Sequence, residues 1–422
     1  SGFVSVGTST VPARLPSWPL SVGFCMPAMP ADTPVQPLRG SESSRAVRPD
    51  WDMYSSTLER LQAHGVATGL ARIIAADSRR VARRIYLLDN SASSLVDDGS
   101  VLEQDHESGF CGMRSGATRW EENCAFAMMH ALWSQVVGTP CEFLLLHAPP
   151  DDGSQVPADA QAERREVLMA LRARLLQGAA PASEECSLSQ RLRGITEGIG
   201  AVCVEELRAK GQVLVVVLVV HAMPGDEEAE RVAEALEGLR DRVCRQLRVV
   251  VRVCGSSVAD VYERLGVRVG VPFEVVRSIH REAAAVAGQG NGWFVYASVL
   301  HRMREAGATW DPLRAMRRRR LTGEEAHHLA AVLLERRSPI EGANIDDFLR
   351  AAQLAAQAEP AVFDARCGGA RPPVDVGRLG SALVDAICRG ERPHFLAAAP
   401  VLRPIQPSWS CRRFSRALCC FT

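Results

Sequence analysis

Asp89, Ser91 and Ser93 stand at alternate positions in Asp89-Asn90-Ser91-Ala92-Ser93, bringing one carboxylate and two hydroxyls into a single short segment. Converging from one turn, they would supply the hard oxygen ligands that magnesium or manganese takes. The same residues also suit a plain turn with a helix cap, because aspartate and serine hydrogen-bond to nearby backbone N–H groups. The preceding run, Arg84-Ile85-Tyr86-Leu87-Leu88, favours a site. It reads as a buried parallel strand, and open α/β folds place their ligands just beyond the carboxyl ends of such strands.

Elsewhere the residues that carry chemistry do not cluster. His106-Glu107, His130 and His147 lack ligand-like spacing and read as satisfied or surface histidines. Gly194-x-x-x-Gly198-x-Gly200 lies inside a helical pattern rather than after a strand, so it is no nucleotide loop. Gly288-Gln289-Gly290-Asn291-Gly292 reads as a helix terminator and linker. Neither a Gly-x-Ser-x-Gly elbow nor a phosphate-binding Gly-Lys-Ser/Thr loop occurs, and the sequence offers no catalytic motif. The 13 cysteines contain no Cys-x-x-Cys pair, which argues against a zinc knuckle or redox motif. Cys124, Cys203 and Cys244 fall on apolar faces, where cysteine behaves as a small hydrophobe. Reduced thiols fit an intracellular, cytoplasmic protein. The end Cys419-Cys420-Phe421-Thr422 only superficially resembles a lipidation box, since Phe and Thr fit poorly there.

Composition narrows the class further. With 47% hydrophobic and 23% charged residues, the 422-residue chain reads as an ordinary globular protein. Its formal net charge of zero argues against nucleic acid as a partner. Lys210 is the single lysine among 49 basic residues, a pattern expected from a GC-rich coding sequence. Arg317-Arg318-Arg319-Arg320 therefore reads as a solvated helix end rather than a targeting signal. No stretch reaches the roughly 20 apolar residues of a membrane span. The chain starts at Ser1 rather than methionine, which leaves room for a targeting segment upstream.

The elements that must position Asp89 follow from periodicity. Residues 1–50, rich in Pro, Ser, Gly and Ala, read as a loosely ordered tail. Residues 51–80 read as a helical lead-in of two short helices. From 81 to 287 strands alternate with helices, the signature of an open, mostly parallel, doubly wound α/β sheet. Strands are expected at 84–88, 142–147, 213–220, 247–253 and 267–271. Helices are expected at 119–137, 162–177, 188–209, from 225 to about 243, and at 273–287. Thr118 with Glu121 forms a capping-box pattern ahead of the first of these. The segment at 96–118 reads as a polar insertion and 149–163 as a Pro/Asp/Gly-rich loop, both flanking the carboxyl edge of the sheet. Residues 288–390 read as a helical extension, with helices at 293–306, 322–336 and 345–358, and 391–422 as an irregular tail.

Within this frame Leu87-Leu88-Asp89-Asn90-Ser91-Ala92-Ser93 resembles the first signature of a von Willebrand factor A (vWA) domain, its metal-ion-dependent adhesion site. The later segment Leu218-Val219-Val220-His221-Ala222-Met223-Pro224-Gly225-Asp226 resembles that family's second apolar strand and acidic helix start. The likeness spans roughly residues 80–275. It implies a Rossmann-like vWA sheet with a metal at its carboxyl edge, completed by an acidic residue of a protein partner. Asp89, Ser91 and Ser93 match the family's ligands. The family's threonine falls at Cys186-Ser187, and its last aspartate falls on His221. Two of five positions thus lose a hard oxygen donor.

Three metal states follow from this pattern. One is a weak or absent site; another is a retained Mg2+ or Mn2+ site on Asp89, Ser91, Ser93 and Ser187. The third is a softer site for zinc that draws on Cys186 and His221. The leading expectation is a protein-interaction module that binds its partner at the carboxyl edge of the sheet. The alternatives are a divalent-metal-dependent hydrolase at the same rim, with His221 as base, or a metal-free structural scaffold.

Overall fold

The computed structural model describes residues 51–104, 111–147, 156–158, 164–178, 187–221, 225–254, 258–335 and 344–391. The tails expected at 1–50 and 391–422 lie outside these residues, Glu391 apart, as do Cys186 and most of the loop at 149–163.

Two helices, α1 (Trp51–Ala63) and α2 (Thr68–Ser78), lead into β1 (Val81–Leu88), as the periodicity predicts. The polar insertion at 96–118 has strand structure of its own. It folds into an antiparallel hairpin of β2 (Gly99–Gln104) and β3 (Cys111–Ala117). Helix α3 (Arg119–Val137) starts on the predicted capping box. Thr118 Oγ1 accepts from Glu121 N at 3.1 Å, and Glu121 Oε2 accepts from Thr118 N at 2.7 Å. Each bond satisfies a backbone donor that the first helical turn leaves over.

The chain continues through β4 (Cys141–Leu145), β5 (Val156–Ala158) and α4 (Arg164–Gln177). The single helix expected over 188–209 is two, α5 (Leu188–Gly198) and α6 (Ala201–Lys210), parted at Ile199-Gly200. Next come β6 (Val213–Val220), α7 (Asp226–Arg242), β7 (Leu247–Val253), α8 (Ala259–Val269), β8 (Phe273–Val276) and α9 (Ile279–Val286). Here two expectations fail: 267–271 is largely helix rather than strand, and 273–276 is strand rather than helix. In α8, Tyr262, Leu265 and Val269 line one buried face, while Val267 is 86% exposed. Core packing on that face overrides the strand preference of the valines.

Strand order is β5-β4-β1-β6-β7-β8, with five parallel strands and β5 antiparallel at one edge. This is an α/β architecture compatible with a Rossmann-like winding. On one face Ile85, Leu87, Val216, Leu218 and Val251 pack beneath α5 to α8. On the other, Tyr86, Leu88, Val217 and Val219 meet α3 and α4. Each buried Val or Leu contributes about 1.5–3 kcal/mol. Leu88 pairs with Leu145 on one side and Val219 on the other, so Asp89 and His221 leave the sheet at the same edge.

Beyond α9, a tight turn at Ala287–Asn291 leads to α10 (Ser298–Glu305), α11 (Asp311–Ala315), α12 (Gly323–Leu334) and α13 (Ile345–Ala358). A short hairpin of β9 (Val362–Asp364) and β10 (Gly369–Arg371) precedes α14 (Val376–Cys388). The glycine-rich segment at 288–292 is a fixed corner rather than a linker. Asn291 Nδ2 donates to the carbonyls of Met316 and Arg319, and Asn291 Oδ1 accepts from Leu321 N. These C-terminal helices share one core with the lead-in: Leu61, Leu70, Trp133, Leu313, Leu329 and Phe348 all belong to it.

Three strand arginines dock this helical layer onto the sheet. Arg84 Nε donates to Ala306 O at 3.1 Å, and Arg248 Nη1 to Gly307 O at 3.1 Å. Arg252 Nε donates to Glu305 Oε1 at 2.9 Å. The carbonyls at a helix end are favourable partners for cations. Gly307 completes the fit: its φ is +77°, and a Cβ there would lie 2.9 Å from Val215 Cγ1. In the run Arg317–Arg320, Arg317, Arg319 and Arg320 are paired, while Arg318 is exposed. Arg317 meets Glu263 and Val275 O, Arg319 grips Glu325 with two nitrogens, and Arg320 meets Asp385.

Candidate functional site at the carboxyl edge of the sheet

Asp89 emerges from β1 buried, held by its own neighbours. Its backbone N donates to Val219 O at 3.0 Å. Its Oδ1 accepts from Ser91 N at 2.9 Å, and its Oδ2 from His221 N at 3.4 Å. The two serines meet through their hydroxyls, Ser91 Oγ lying 2.8 Å from Ser93 Oγ. The structure thus gathers Asp89, Ser91, Ser93 and His221 into one cluster. Asn90 fixes the turn: its Oδ1 accepts from His147 N at 2.8 Å and its Nδ2 donates to His147 O at 3.1 Å.

His221 is buried and engaged inward. Asn123 Oδ1 accepts from the Cys254 thiol, so Asn123 Nδ2 faces the imidazole and lies 2.7 Å from Nε2. Nε2 also lies 3.1 Å from Asp89 O, and Nδ1 has no hydrogen-bond partner among the described residues. Burial lowers the His221 pKa most. The Asp89 carboxylate pulls the other way, while Arg252 and Arg119 add to the lowering. A neutral imidazole brings no negative charge to offset a cation.

Ser187 caps α5, accepting from Gln190 N at 3.2 Å, and its hydroxyl lies 3.0 Å from Ser189 Oγ. Ser189 in turn donates to Glu228 at the start of α7. Ser187 therefore serves as a helix cap. Cys186, the proposed soft ligand, falls outside the described residues.

Arg119 and Asp98 are the residues that sequence reading missed. Arg119 Nε and Nη2 bind the two Asp98 carboxylate oxygens at 2.6 and 2.7 Å, while Nη1 donates to His221 O at 3.3 Å. The guanidinium holds Asp98 below the usual carboxylate range. The signal was faint: one arginine at the first position of a helix, set 21 residues from its acid.

These residues do not fit a magnesium or manganese ion. One carboxylate accepts from two backbone N–H groups, His221 offers a neutral nitrogen donor rather than an acid, and Ser187 is a cap. A guanidinium meets the carbonyl that follows the same strand. Hard divalent ions need near-complete oxygen shells with compensating negative charge. No group of three or more His, Cys, Asp or Glu suited to a metal occurs among the described residues. The neighbouring Cys254–Asn123–His221 chain is no activated nucleophile either. Burial pushes the Cys254 thiol up to about 12, so it stays protonated.

No helix among the described residues is long and apolar enough to cross a membrane. Compared with known proteins, the chain matches no family model and no curated sequence.

Proposed function

We propose that the chain is a vWA-like interaction module that docks a protein partner at the carboxyl edge of its sheet without a divalent ion. One observation carries this reading. Leu95 and Val96, directly after the Asp89–Ser93 turn, are 50% and 44% exposed. Two large apolar side chains side by side at a polar rim form a small exposed apolar patch that a partner surface would cover. The rim is also well fixed: Val96 O accepts from Arg119 N at 2.9 Å, and Arg119 is clasped by Asp98. A fixed backbone lowers the ordering cost of association.

The test is affinity capture with the full chain from an extract of its native source, with and without EDTA. A single partner should be retained in both conditions and lost with the double variant Leu95→Asp/Val96→Asp. Binding that disappears in EDTA, or that survives the double variant, would overturn the reading.

A further inference from the structure

A cavity of about 80 Å³ lies beneath the β2–β3 hairpin, between α3, the β8–α9 corner and α10. One water needs about 10–15 Å³ of such space, so there is room for several waters or one small organic molecule. Five ionisable side chains line it, all buried: Glu122, Arg252, His301, Arg302 and Glu305. The remaining wall is soft and apolar, with Met113, Phe126, Met129 and Ile279 prominent. Half-buried Ser278 and Ser298 add uncharged hydroxyls. We propose that this cavity is a binding site for a small neutral molecule with an apolar body and one hydroxyl, of about the size of phenol.

The neutrality follows from how the charges are spent. Two arginines and two glutamates line the cavity, so the formal charges balance; Arg252 holds both carboxylates, and Arg302 Nη2 donates to Met129 Sδ at 3.2 Å. Glu305 Oε1 accepts from Arg252 Nε at 2.9 Å, and Oε2 meets His130 Nε2 at 3.1 Å. His301 Nε2 lies 3.1 Å from Glu305 Oε1. Glu122 Oε1 accepts from Arg252 Nη2, and Oε2 from Ser100 N at 2.8 Å. Both carboxylates have every oxygen engaged. A cation would find no free acceptor charge, and an anion would lie against two carboxylates; either loses its hydration without compensation. A neutral ring meets none of these penalties and gains contact with the Met113, Met129 and Phe126 side chains that line the cavity. Arg252 already stacks on that ring, its guanidinium carbon 4.9 Å from the centroid, which keeps Phe126 in place.

Saturation-transfer NMR on the full chain, with phenol, benzoate and benzylammonium as probes, tests this site. Phenol should bind with Kd on the order of 1 mM, and the two ions at least tenfold more weakly. Ala125→Leu, which adds bulk on the α3 wall, should weaken phenol tenfold or more. Ser298→Ala guards against a folding artefact, since it removes only a hydroxyl and should weaken phenol several-fold with an unchanged unfolding midpoint. Equal binding of all three probes, absence of phenol binding, or phenol binding indifferent to both variants would each overturn the proposal.

Discussion

Glu305 on α10 accepts from Arg252 on β7 at 2.9 Å with both side chains buried, joining the helical layer to the sheet by a charged bond. Glu305→Gln keeps the shape and removes the charge, leaving Arg252 with Glu122 as its one remaining carboxylate partner among those described. Breaking a buried pair from one side costs about 3–5 kcal/mol. Urea unfolding should register that loss. A change below about 1 kcal/mol would mean the pair contributes nothing net.

Acid should destabilise the fold in two phases. Burial lowers the His130 pKa, with Glu305 pulling the other way; His327 and His328 are lowered by burial as well. Histidines depressed in the folded state favour folding fully above their unfolded pKa, about 6.5, and less as pH falls below it. Burial would raise the Glu305 carboxyl, but His301, His130 and Arg252 outweigh it and hold it well below the usual range. Its contribution is complete above an unfolded pKa of about 4.3 and is lost as pH drops further. Urea midpoints at pH 8, 6, 5 and 4 should fall stepwise; a flat profile from pH 8 to 5 would refute the histidine phase.

Gly307 and Gly65 form a matched pair for testing the docking of α10. Both have positive φ, +77° and +75°, yet a Cβ at Gly65 would meet nothing within 4 Å. Gly65→Ala should cost about 1 kcal/mol of backbone strain. Gly307→Ala should cost about 1–3 kcal/mol more, because the methyl group collides with Val215. Equal losses in thermal or urea unfolding would place the strain in the backbone alone.

Magnesium and manganese should leave the protein unchanged. A ligand that binds only the folded state raises stability by an amount set by its concentration over Kd. With Arg119 at the rim and His221 engaged inward, millimolar MgCl2 or MnCl2 should not raise the thermal midpoint. Asp89→Ala should still destabilise by about 1–3 kcal/mol, through the buried N–H groups of Ser91 and His221. An ion-dependent rise that Asp89→Ala abolishes would restore the metal site.

The parts of this fold legible in sequence were those whose cause is local. The unbroken Val213–Val220 run and the Thr118/Glu121 cap declare themselves within a few residues. Asp89, Ser91 and Ser93 were legible as a cluster because one turn brings them together. What failed depended on distant partners. In Leu247-Arg248-Val249-Val250-Val251-Arg252-Val253 the alternation marks one face of a strand, but nothing nearby announces that Gly307 and Glu305 receive the arginines. The inward bond of His221 to Asn123 spans 98 positions. Cys244, read as apolar-face packing, is exposed at φ 52°. There the chain turns between α7 and β7, and the turn outranks burial.

The shared helical core has a consequence for how the chain is made. Arg72 on α2 pairs with Glu335 at the end of α12 at 2.6 Å, 263 positions later. At about 5–20 residues per second, α2 waits on the order of 13 to 53 seconds after its own synthesis before that partner emerges from the ribosome. Until then the early helices can pack on α3 through Trp133, while the side of α2 that meets α12 stays uncovered by its native partner. Ribosome-stalled chains ending near residue 300 should leave α2 more open to protease than chains stalled well past 391, in which α12 covers it.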